Sequence, residues 1–316
     1  MVRKFPIMAD YDVELDQSGR LTGGRRVPKR CNVETKGLVS VITVCRNSAE
    51  TIERTIDSIA GQSYRNVEYI VVDGGSTDRT LEILRERGDR IDVWVSERDA
   101  GISDAFNKGI SIANGEFVIL VNADDWLGPD HVGIAVDALS KNEAGFVFGD
   151  LLLHGPGGEF VGLLRGEAAY EDRVSHIMPF INHPTVVCRR EVYVEHGLFC
   201  TSLHCAMDYE WLLRLVRGGC RGVYLPELES HMSLDGRSDR LFRKALAEVR
   251  DVSIAYGYPA RMAWTRYIGR VVKGYVRRGL ERVLPPRIQG RLRGRVNRNF
   301  TQTLVIAKRS ASTGCS

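Results

Sequence analysis

Short apolar runs alternate along the chain with segments whose apolar residues recur every three or four positions. The first run, residues 38–45 (LVSVITVC), has the uninterrupted, β-branched character of a strand that is covered on both faces of a parallel sheet. A helix is expected next, capped by Ser48 and ending near Gly61. Its apolar positions share one face: Ile52, Ile56 and Ile59.

The same unit of strand and helix recurs. Further strands are predicted over residues 67–72, 91–95, 117–121 and 145–148, with helices that begin at Ser76 or Thr77, at Ile102 and at Pro129. Strands separated by such helices predict right-handed crossovers and an α/β fold, with a mostly parallel sheet flanked by helices.

The second half of the chain alternates less regularly. A helix is predicted over residues 208–216 and a strand over 222–225, within a half of α+β character. After Pro259 an amphipathic helix is predicted. Its apolar face carries Trp264, Ile268, Val271 and Tyr275, and its opposite face carries Arg266, Arg270, Lys273 and Arg277.

These changes in pattern divide the chain into three parts. Residues 1–36 are expected to be an N-terminal extension and residues 241–316 a helical, basic C-terminal region. Residues 37–240 between them form the predicted globular domain, which divides into two halves, residues 37–127 and residues 128–240.

Composition narrows the class of protein. The 316 residues are 43% hydrophobic and 27% charged, which is typical of a globular protein and argues against both wholesale disorder and a polytopic membrane protein. No apolar run reaches the roughly 18 residues of a membrane span, and no apolar signal segment opens the chain. We therefore expect a cytoplasmic location. The seven cysteines include no CxxC pair, which argues against a zinc cluster.

Polar residues gather where three predicted strands end. They are Thr43, Arg46 and Asn47 after the first strand, residues 73–78 (DGGSTD) after the second, and residues 122–125 (NADD) after the fourth. Ligands of open parallel sheets bind beyond the carboxyl ends of the strands, so these clusters predict one shared cleft. The chain has neither a GxGxxG fingerprint nor a Walker GK[ST] motif, which disfavours a dehydrogenase and a P-loop enzyme.

Asp124 and Asp125 are adjacent carboxylates in one of these loops. They would repel each other unless they were solvated or bridged by a cation. Mg²⁺ or Mn²⁺ would resolve the conflict and would also bind a substrate diphosphate. The alternative is a helix cap before Pro129.

Four ordered motifs carry a more specific resemblance: residues 39–47 (VSVITVCRN), 69–80 (YIVVDGGSTDRT), 98–110 (RDAGISDAFNKGI) and 115–125 (GEFVILVNADD). Over residues 38–240 the chain resembles the family 2 glycosyltransferases, which have the Rossmann-like GT-A fold. The resemblance implies transfer of a sugar from a nucleotide-sugar to an acceptor hydroxyl, with a divalent metal, Mg²⁺ or Mn²⁺, as cofactor. It makes residues 37–127 the nucleotide-sugar-binding half and residues 128–240 the acceptor or catalytic half.

The resemblance also implies a role for individual residues. Thr43, Arg46 and Asn47 would line the nucleotide pocket, and Asp73 would bond the base or its ribose, although a turn cap is the alternative for Asp73. Asp104, Asn107 and Lys108 would face the sugar or diphosphate unless they belong to a solvated helix face. The family's Asp-x-Asp metal motif reads Asn122-Ala123-Asp124 here, followed by Asp125. This leaves Asp124, with Asp125, for the metal and puts a direct role for Asn122 in doubt.

For the catalytic base, residues 207–211 (MDYEW) resemble the family segment, and Asp208 is our candidate. Glu210 is the competing candidate for the base. A carboxylate at the start of a helix can also be a simple cap. Acceptor or phosphate contacts are assigned to His183, His231 and Arg237, and either histidine could equally be structural. Asp208 would then deprotonate the acceptor in a single displacement that inverts the anomeric configuration.

The expected donor is a UDP-sugar and the expected acceptor a glycan or a lipid-linked glycan. The basic C-terminal helix suggests peripheral contact with the inner face of an anionic membrane. Its alternatives are a helix packed on the domain and a nucleic-acid tail, although no nucleic-acid partner is expected.

Two alternatives to the transferase are open: a catalytically degenerate nucleotide- or glycan-binding module, and a sugar nucleotidyltransferase, which should carry a Gly-rich basic loop after the first strand.

Overall fold

The computed structural model of the protein describes residues 21–25, 36–155, 157–171, 181–234 and 241–283. The strands are β1 (Leu21–Gly23), β2 (Val39–Cys45), β3 (Val67–Asp73), β4 (Val93–Ser96), β5 (Phe117–Asn122), β6 (Trp126–Leu127), β7 (Phe146–His154), β8 (Phe160–Leu164), β9 (Val187–Arg189) and β10 (Gly222–Ser233). The helices are α1 (Ile52–Ala60), α2 (Thr80–Glu86), α3 (Ile102–Ile112), α4 (His131–Lys141), α5 (Arg190–His196), α6 (Met207–Arg217), α7 (Phe242–Ala255) and α8 (Ala260–Val283).

The predicted parallel sheet is confirmed in the first half of the chain. Strands β4, β3, β2 and β5 lie side by side in that order and are parallel. The chain moves outward from β2 to β3 and β4, then crosses to the other side of β2 to form β5. The strand order therefore reverses at the β2–β5 boundary, which is where open α/β sheets bind their ligands.

The second half continues the same sheet with mixed directions. Strand β9 lies between β5 and β7 and is antiparallel to both, whereas β7 and β10 are parallel. The short strand β6 pairs with the end of β10, His231 lying opposite Trp126, and β8 pairs with β7. This pairing brings the carboxyl end of β10 to the loop that follows β5.

Both faces of the sheet are covered, and alternate residues of β2 enter opposite cores. Ile42 and Val44 pack with α3, α6 and α7. Val39, Val41 and Cys45 pack with α1, α2 and α4. Every residue of β2 is buried, which explains why its sequence is continuously apolar apart from Ser40 and Thr43.

Two boundaries differ from the sequence interpretation. Residues 21–23, assigned to an extension, form an edge strand antiparallel to β4, in which Gly23 lies against the Trp94 ring. Helix α7, assigned to the C-terminal region, buries Val249 and Val252 in the core beside α6. The boundary at residue 240 therefore separates α7 from the core that it completes. Strands β6, β8 and β9 were also missed, since they have five residues or fewer.

The predicted helix after Pro259 is present as α8, but its faces are arranged differently. Ala263 and Gly274 are buried, and a β-carbon at position 274 would press on the Phe242 ring of α7. Arg270, predicted on the exposed basic face, is half-buried on the α7 side. The apolar residues that face solvent are Met262, Trp264, Ile268, Val272, Tyr275 and Val276. No helix in the described ranges combines the length and the apolar character of a membrane span.

Candidate functional site

The ends of β2, β3 and β4 form a row in which Cys45, Asp73 and Ser96 lie opposite one another. The Asp73 carboxylate is completely buried. It accepts hydrogen bonds from the backbone N–H groups of Gly75 (3.2 Å) and Ser76 (3.0 Å) and from the hydroxyls of Ser96 (2.6 Å) and Ser76. Asp73 therefore holds its own turn and offers no exposed oxygen to a nucleotide.

The loop after β2 is tied to the loop after β3 by Asn47. This residue adopts a left-handed backbone conformation with a φ of 52°, which asparagine tolerates better than most residues. Its side-chain oxygen accepts the Thr77 N–H at 2.8 Å, and its own N–H donates to the Ser76 hydroxyl at 2.7 Å. The neighbouring Arg46 side chain is exposed at the cleft, whereas Thr43 is fully buried and accepts the Tyr69 hydroxyl at 3.1 Å. A direct nucleotide contact by the Thr43 side chain is therefore ruled out in this conformation.

The loop after β5 places its two carboxylates in different surroundings. Asp125 is buried and accepts the Asn122 amide N–H at 2.9 Å and the Ser233 N–H at 3.2 Å. Burial, followed by the charge of Asp124, raises the pKa of Asp125 to about 8. Asp124 is half-buried, its carboxylate contacts no other described residue through a hydrogen bond, and burial raises its pKa as well.

Helix α1 and the end of β10 clamp this loop. Arg54 donates to the Asp124 carbonyl at 2.9 Å and to the Ser233 hydroxyl at 3.0 Å, and the Ser233 hydroxyl lies 2.8 Å from the same carbonyl. The Thr55 hydroxyl lies between the carbonyls of Ala123 and Asp125. Sequence reasoning missed both Arg54 and Ser233, because Arg54 lies within a helix and the strand that ends at Ser233 was predicted to end at residue 225.

Three rings stack beside the clamp. The Arg54 guanidinium lies 3.8 Å from the centre of the Trp126 ring, and His231 stacks on Trp126 with centroids 5.0 Å apart. His154 Nδ1 lies 3.0 Å from the Gly158 carbonyl, which can only accept, so Nδ1 carries the proton. His154 Nε2 then accepts from His231 Nδ1 at 3.0 Å, and neutral His231 keeps a bare Nε2. Burial, His154 and Arg54 together lower the pKa of His231 to about 4. A bare imidazole nitrogen suits a cation and not a phosphate oxygen.

The start of α3 carries an ion cluster. Lys108 Nζ lies 2.7 Å from Glu97 and 3.2 Å from Asp104, and it donates to the Arg98 carbonyl at 3.2 Å. Asp104 also accepts the Ala100 N–H at 3.0 Å. These contacts fix the loop after β4 onto α3, and the two carboxylates already balance the Lys108 charge that was assigned to phosphate.

Asp208 and Glu210 are separated by their environments at the start of α6. Glu210 is buried and receives Arg214 through two hydrogen bonds of 3.0 Å and the Tyr256 hydroxyl at 2.6 Å. It is an internal ion-pair partner and not a base. Asp208 is half-buried, its carboxylate accepts the Tyr209 N–H at 2.7 Å, and burial raises its pKa against the opposing effect of nearby His183.

The start of α6 is joined to the strand-end cleft. The Ser103 hydroxyl, at the start of α3, donates to the Leu203 carbonyl at 3.0 Å and lies 3.0 Å from Met207 Sδ. The His183 ring meets the edges of Phe199 and Trp211, which pack it into the same corner, and burial lowers its pKa. The site thus has polar loops at the ends of β2–β4, an acidic loop after β5 and a carboxylate at the start of α6. Arg237, assigned to phosphate, lies outside the described residues.

The oxygen donors of the acidic loop fit a hard divalent cation. Asn122 Oδ1 is buried and has no hydrogen-bond partner among the residues described, and Asp124 has a carboxylate to offer. No group of three His, Cys, Asp or Glu in the described segments could hold a metal by itself. A cation here would need oxygens from the substrate, as Mg²⁺ sites that bind diphosphates commonly do.

Comparison with known proteins identifies the family to which the chain belongs. The model of the family "Glycosyl transferase family 2" matches residues 40–197, which is half of the chain, and the chain belongs to that family. It is 35% identical over 167 residues to an uncharacterised glycosyltransferase of Mycobacterium tuberculosis, covering 52% of this chain and 59% of that protein. It is also 28% identical to a PGL/p-HBAD biosynthesis glycosyltransferase of Mycobacterium bovis, covering 52% of this chain and 61% of that one. The chain thus spans about six-tenths of the length of these relatives.

Solved structures share the fold. TarS of S. aureus in complex with UDP has a TM-score of 0.51 at 18% identity, covering 68% of this chain and 65% of that chain. The mannosyltransferase PcManGT of Pyrobaculum calidifontis, in complex with GDP-Man and Mn²⁺, has a TM-score of 0.52 at 20% identity, covering 74% of each. The chain therefore has the GT-A fold in common with these solved glycosyltransferases.

Proposed function

We propose that the protein transfers a sugar from a UDP-sugar to an acceptor hydroxyl by an inverting, cation-assisted displacement. The observation that carries the proposal is the placement of two half-buried carboxylates: Asp124 in the loop after β5, and Asp208 at the start of α6, which Ser103 joins to the start of α3. A family neighbour bound to UDP and another bound to GDP-Man and Mn²⁺ support the substrate class and the cation.

Asp208 is the proposed general base. It accepts the proton of the acceptor hydroxyl while that oxygen attacks the anomeric carbon, and the bond from this carbon to the diphosphate oxygen breaks. General-base catalysis of this kind contributes about 10²- to 10⁴-fold. The raised pKa of Asp208, caused by burial, makes its carboxylate a better proton acceptor than an exposed aspartate. One displacement from the opposite face inverts the anomeric configuration.

Asp124 is the proposed cation-binding group, together with the Asn122 side-chain oxygen, which has no hydrogen-bond partner among the residues described. The His231 ring stacks on Trp126, next to this loop, and is the candidate for a further ligand. A bound Mg²⁺ or Mn²⁺ would supply Lewis-acid stabilisation of charge on the leaving diphosphate. Asp125 acts indirectly in this proposal, because both of its oxygens are already bonded to Asn122 and Ser233. The clamp formed by Arg54 and Ser233 keeps the Asp124 backbone in place for either role.

We further propose that the acceptor is a glycan or lipid-linked glycan and that α8 docks on an anionic lipid surface at the inner face of the cell membrane. The outer face of α8 carries Trp264, Ile268 and Val272 at four-residue spacing, each about half exposed. Arg261, one turn before Trp264, is also exposed on this side of the helix. Aromatic and apolar residues next to an arginine suit the boundary between lipid headgroups and acyl chains.

The test of the transferase is nucleotide binding followed by product analysis. Thermal melting with Mn²⁺ and UDP, GDP, CDP or dTDP should show stabilisation by UDP that disappears without Mn²⁺ and in Asp124→Ala, since a ligand stabilises the fold it binds. NMR of the product should show a β-linkage from an α-linked donor. An α-linked product would refute the inverting mechanism, and failure of every nucleotide to bind would favour a degenerate module.

A further inference from the structure

Two aspartates, Asp73 and Asp99, lie at or just after the ends of β3 and β4. Only Asp73 accepts hydrogen bonds with both of its carboxylate oxygens. Asp73 is completely buried under the donors of its own turn. Asp99 lies in the loop after β4 and is half-buried. Its Oδ1 accepts the Gly101 N–H at 3.0 Å, which fixes the orientation of the carboxylate. No described N–H or O–H group donates to its Oδ2.

The carboxylate of Asp99 occupies the space above the Gly74 backbone. A β-carbon at position 74 would overlap Asp99 Oδ2 and would lie 3.4 Å from Arg46 Cδ. Gly74 is therefore the residue that lets Asp99 and Arg46 approach each other over the end of β3. Within the described ranges the two side chains form no ion pair, so a carboxylate oxygen and an exposed guanidinium stand side by side at the cleft.

We propose that Asp99 and Arg46 recognise the base of the donor nucleotide. The inference rests on the proposed function and names the residue that selects its nucleotide. A carboxylate oxygen accepts a ring N–H, and a guanidinium donates to the carbonyl beside it. Uracil, thymine and guanine present a ring N–H next to a carbonyl. Cytosine and adenine present a bare ring nitrogen there, and its lone pair would face the carboxylate.

The hydrogen bond that Asp99 already accepts narrows the choice of base further. Because Oδ1 is already bonded to the Gly101 N–H, Oδ2 is the oxygen left for the base. Guanine offers two adjacent N–H donors, which a carboxylate reads best with both oxygens, whereas uracil and thymine offer a single N–H. Asp99 thus selects a pyrimidine with two carbonyls, with UDP and dTDP as the matching diphosphates.

Calorimetric titration of the full chain with UDP, dTDP, GDP and CDP in the presence of Mn²⁺ tests the assignment. Wild type should bind UDP or dTDP at least about tenfold more tightly than CDP, because a site that hydrogen-bonds a substrate N–H rejects an analogue lacking it. Asp99→Asn keeps an oxygen for Gly101 but turns an amide N–H toward the base. It should lose about tenfold in UDP or dTDP affinity and leave CDP affinity equal or higher.

Gly74→Ala provides an independent variant, since its β-carbon displaces the Asp99 side chain without changing it. It should reduce the preference for UDP over CDP in the same direction. Asp89→Asn, the same change at an exposed position, is the matched control and should leave every affinity unchanged. If Asp99→Asn does not fold, Gly74→Ala and the exposed-site change Arg46→Gln decide the question.

The outcomes separate this inference from the proposed function. Asp124→Ala should weaken all four nucleotides alike, because it acts on the diphosphate. Wild type that binds nucleotides without preference, or variants that keep the wild-type ratio of UDP to CDP affinity, would overturn the role of Asp99 alone. Wild type that binds none of the four would overturn the proposed function, and this inference with it.

Discussion

Asp124 and Asp125 are neighbours in sequence but differ in what surrounds them. Asp125 is buried between Asn122 and Ser233, which satisfy its oxygens, whereas the Asp124 carboxylate is half-buried and its loop is held through the backbone carbonyl. Asp125 therefore holds the loop in its conformation, whereas the Asp124 carboxylate is the one that a substrate or cation could reach.

The raised pKa of Asp125 predicts a pH dependence of stability in the absence of divalent cation. The pKa is 3.8 for an ordinary aspartate and about 8 here, so between these values the folded protein binds one more proton than the unfolded chain. Ionisation of this one carboxyl should then lower the free energy of unfolding by about 1.4 kcal/mol per pH unit as pH rises through this window, whereas the lowered pKa of His231 acts in the opposite direction in the acidic part of it. Urea melts of wild type and Asp125→Asn from pH 4.5 to 7.5 isolate the Asp125 contribution, because the other titrating groups are common to both proteins. The stability of the variant relative to wild type should rise with pH by about that amount, and a difference that does not change with pH would contradict the assignment.

Asp208 and Glu210, two residues apart, are distinguished by their partners. Glu210 is neutralised inside the protein by Arg214, whereas Asp208 lies next to His183 and is bonded by one backbone N–H. Asp208→Asn should therefore lower kcat by about 10²-fold or more while leaving the Kd for UDP within about twofold, because only the proton acceptor is lost. Turnover assays with calorimetry measure both.

Glu210→Gln is the contrasting variant for that experiment. It leaves a buried Arg214 without its charge partner and should reduce the melting temperature more than it reduces the turnover of folded enzyme. Unchanged kcat in Asp208→Asn would remove this residue from the catalytic role.

At the scale of elements, the two carboxylate loops of the site are held by helices far from them in sequence. Helix α1 clamps the acidic loop through Arg54 and Thr55. Helix α7 holds the start of α6 through Glu248, whose carboxylate accepts the N–H groups of His204 (3.1 Å), Cys205 (2.7 Å) and Ala206 (3.0 Å). Glu248 therefore fills the place of a helix cap for the segment that carries Asp208.

Glu248→Ala should destabilise the protein by about 1–3 kcal/mol, because three buried N–H donors lose their acceptor. It should also lower kcat with little change in the KM for the donor, since Asp208 loses its fixed position. Urea denaturation and steady-state kinetics test both effects. Glu227→Ala, at an exposed glutamate of β10, is the control and should change neither. Normal kcat in folded Glu248→Ala would show that α7 only stabilises the domain.

At the scale of the whole molecule, the proposed site and the exposed apolar surface lie on separate parts of the chain: the site on the mixed sheet and the apolar surface on α8. The proposed catalytic residues lie at the carboxyl edge of the sheet, whereas the exposed apolar residues lie on the outer face of α8. Helix α7 covers the inner face of α8, where Arg250 stacks on the Tyr267 ring, and Arg250 also contacts the Trp264 ring at the border of the two faces, which leaves that ring about half exposed. The outer face is the part that the membrane proposal uses.

Ile268→Glu and Val272→Glu together should reduce binding to vesicles that contain anionic lipid by at least about tenfold, because charges replace apolar groups that would enter the interface. Turnover on a water-soluble acceptor should be unchanged. Val194→Glu makes the same change at the exposed apolar residue of α5 and is the control. Vesicle flotation measures the binding, and equal flotation of wild type and the double variant would refute the proposal.

The sequence by itself determined the parallel core of the fold and the location of the cleft. Buried parallel strands need apolar residues on both faces, and turns after them need glycine and polar residues, so both signals are local. The same local signals proposed Asp124 for the cation, and the resemblance of residues 207–211 to the family segment implied Asp208 for the base. They could not exclude Glu210 or identify Thr43 as a core residue, because the deciding partners, Arg214 and Tyr69, depend on packing.

Only the tertiary structure decided the rest. The loop after β5 meets Ser233 because β10 inserts beside β7, far along the chain, and the start of α6 meets Glu248 because α7 folds back on the core. Asp73 was expected to bind the ligand but bonds the N–H groups of its own turn, and the carboxylate above Gly74 at the cleft is that of Asp99. These outcomes depend on contacts between residues distant in sequence, and hydrophobic periodicity and motif spacing contain no information about such contacts.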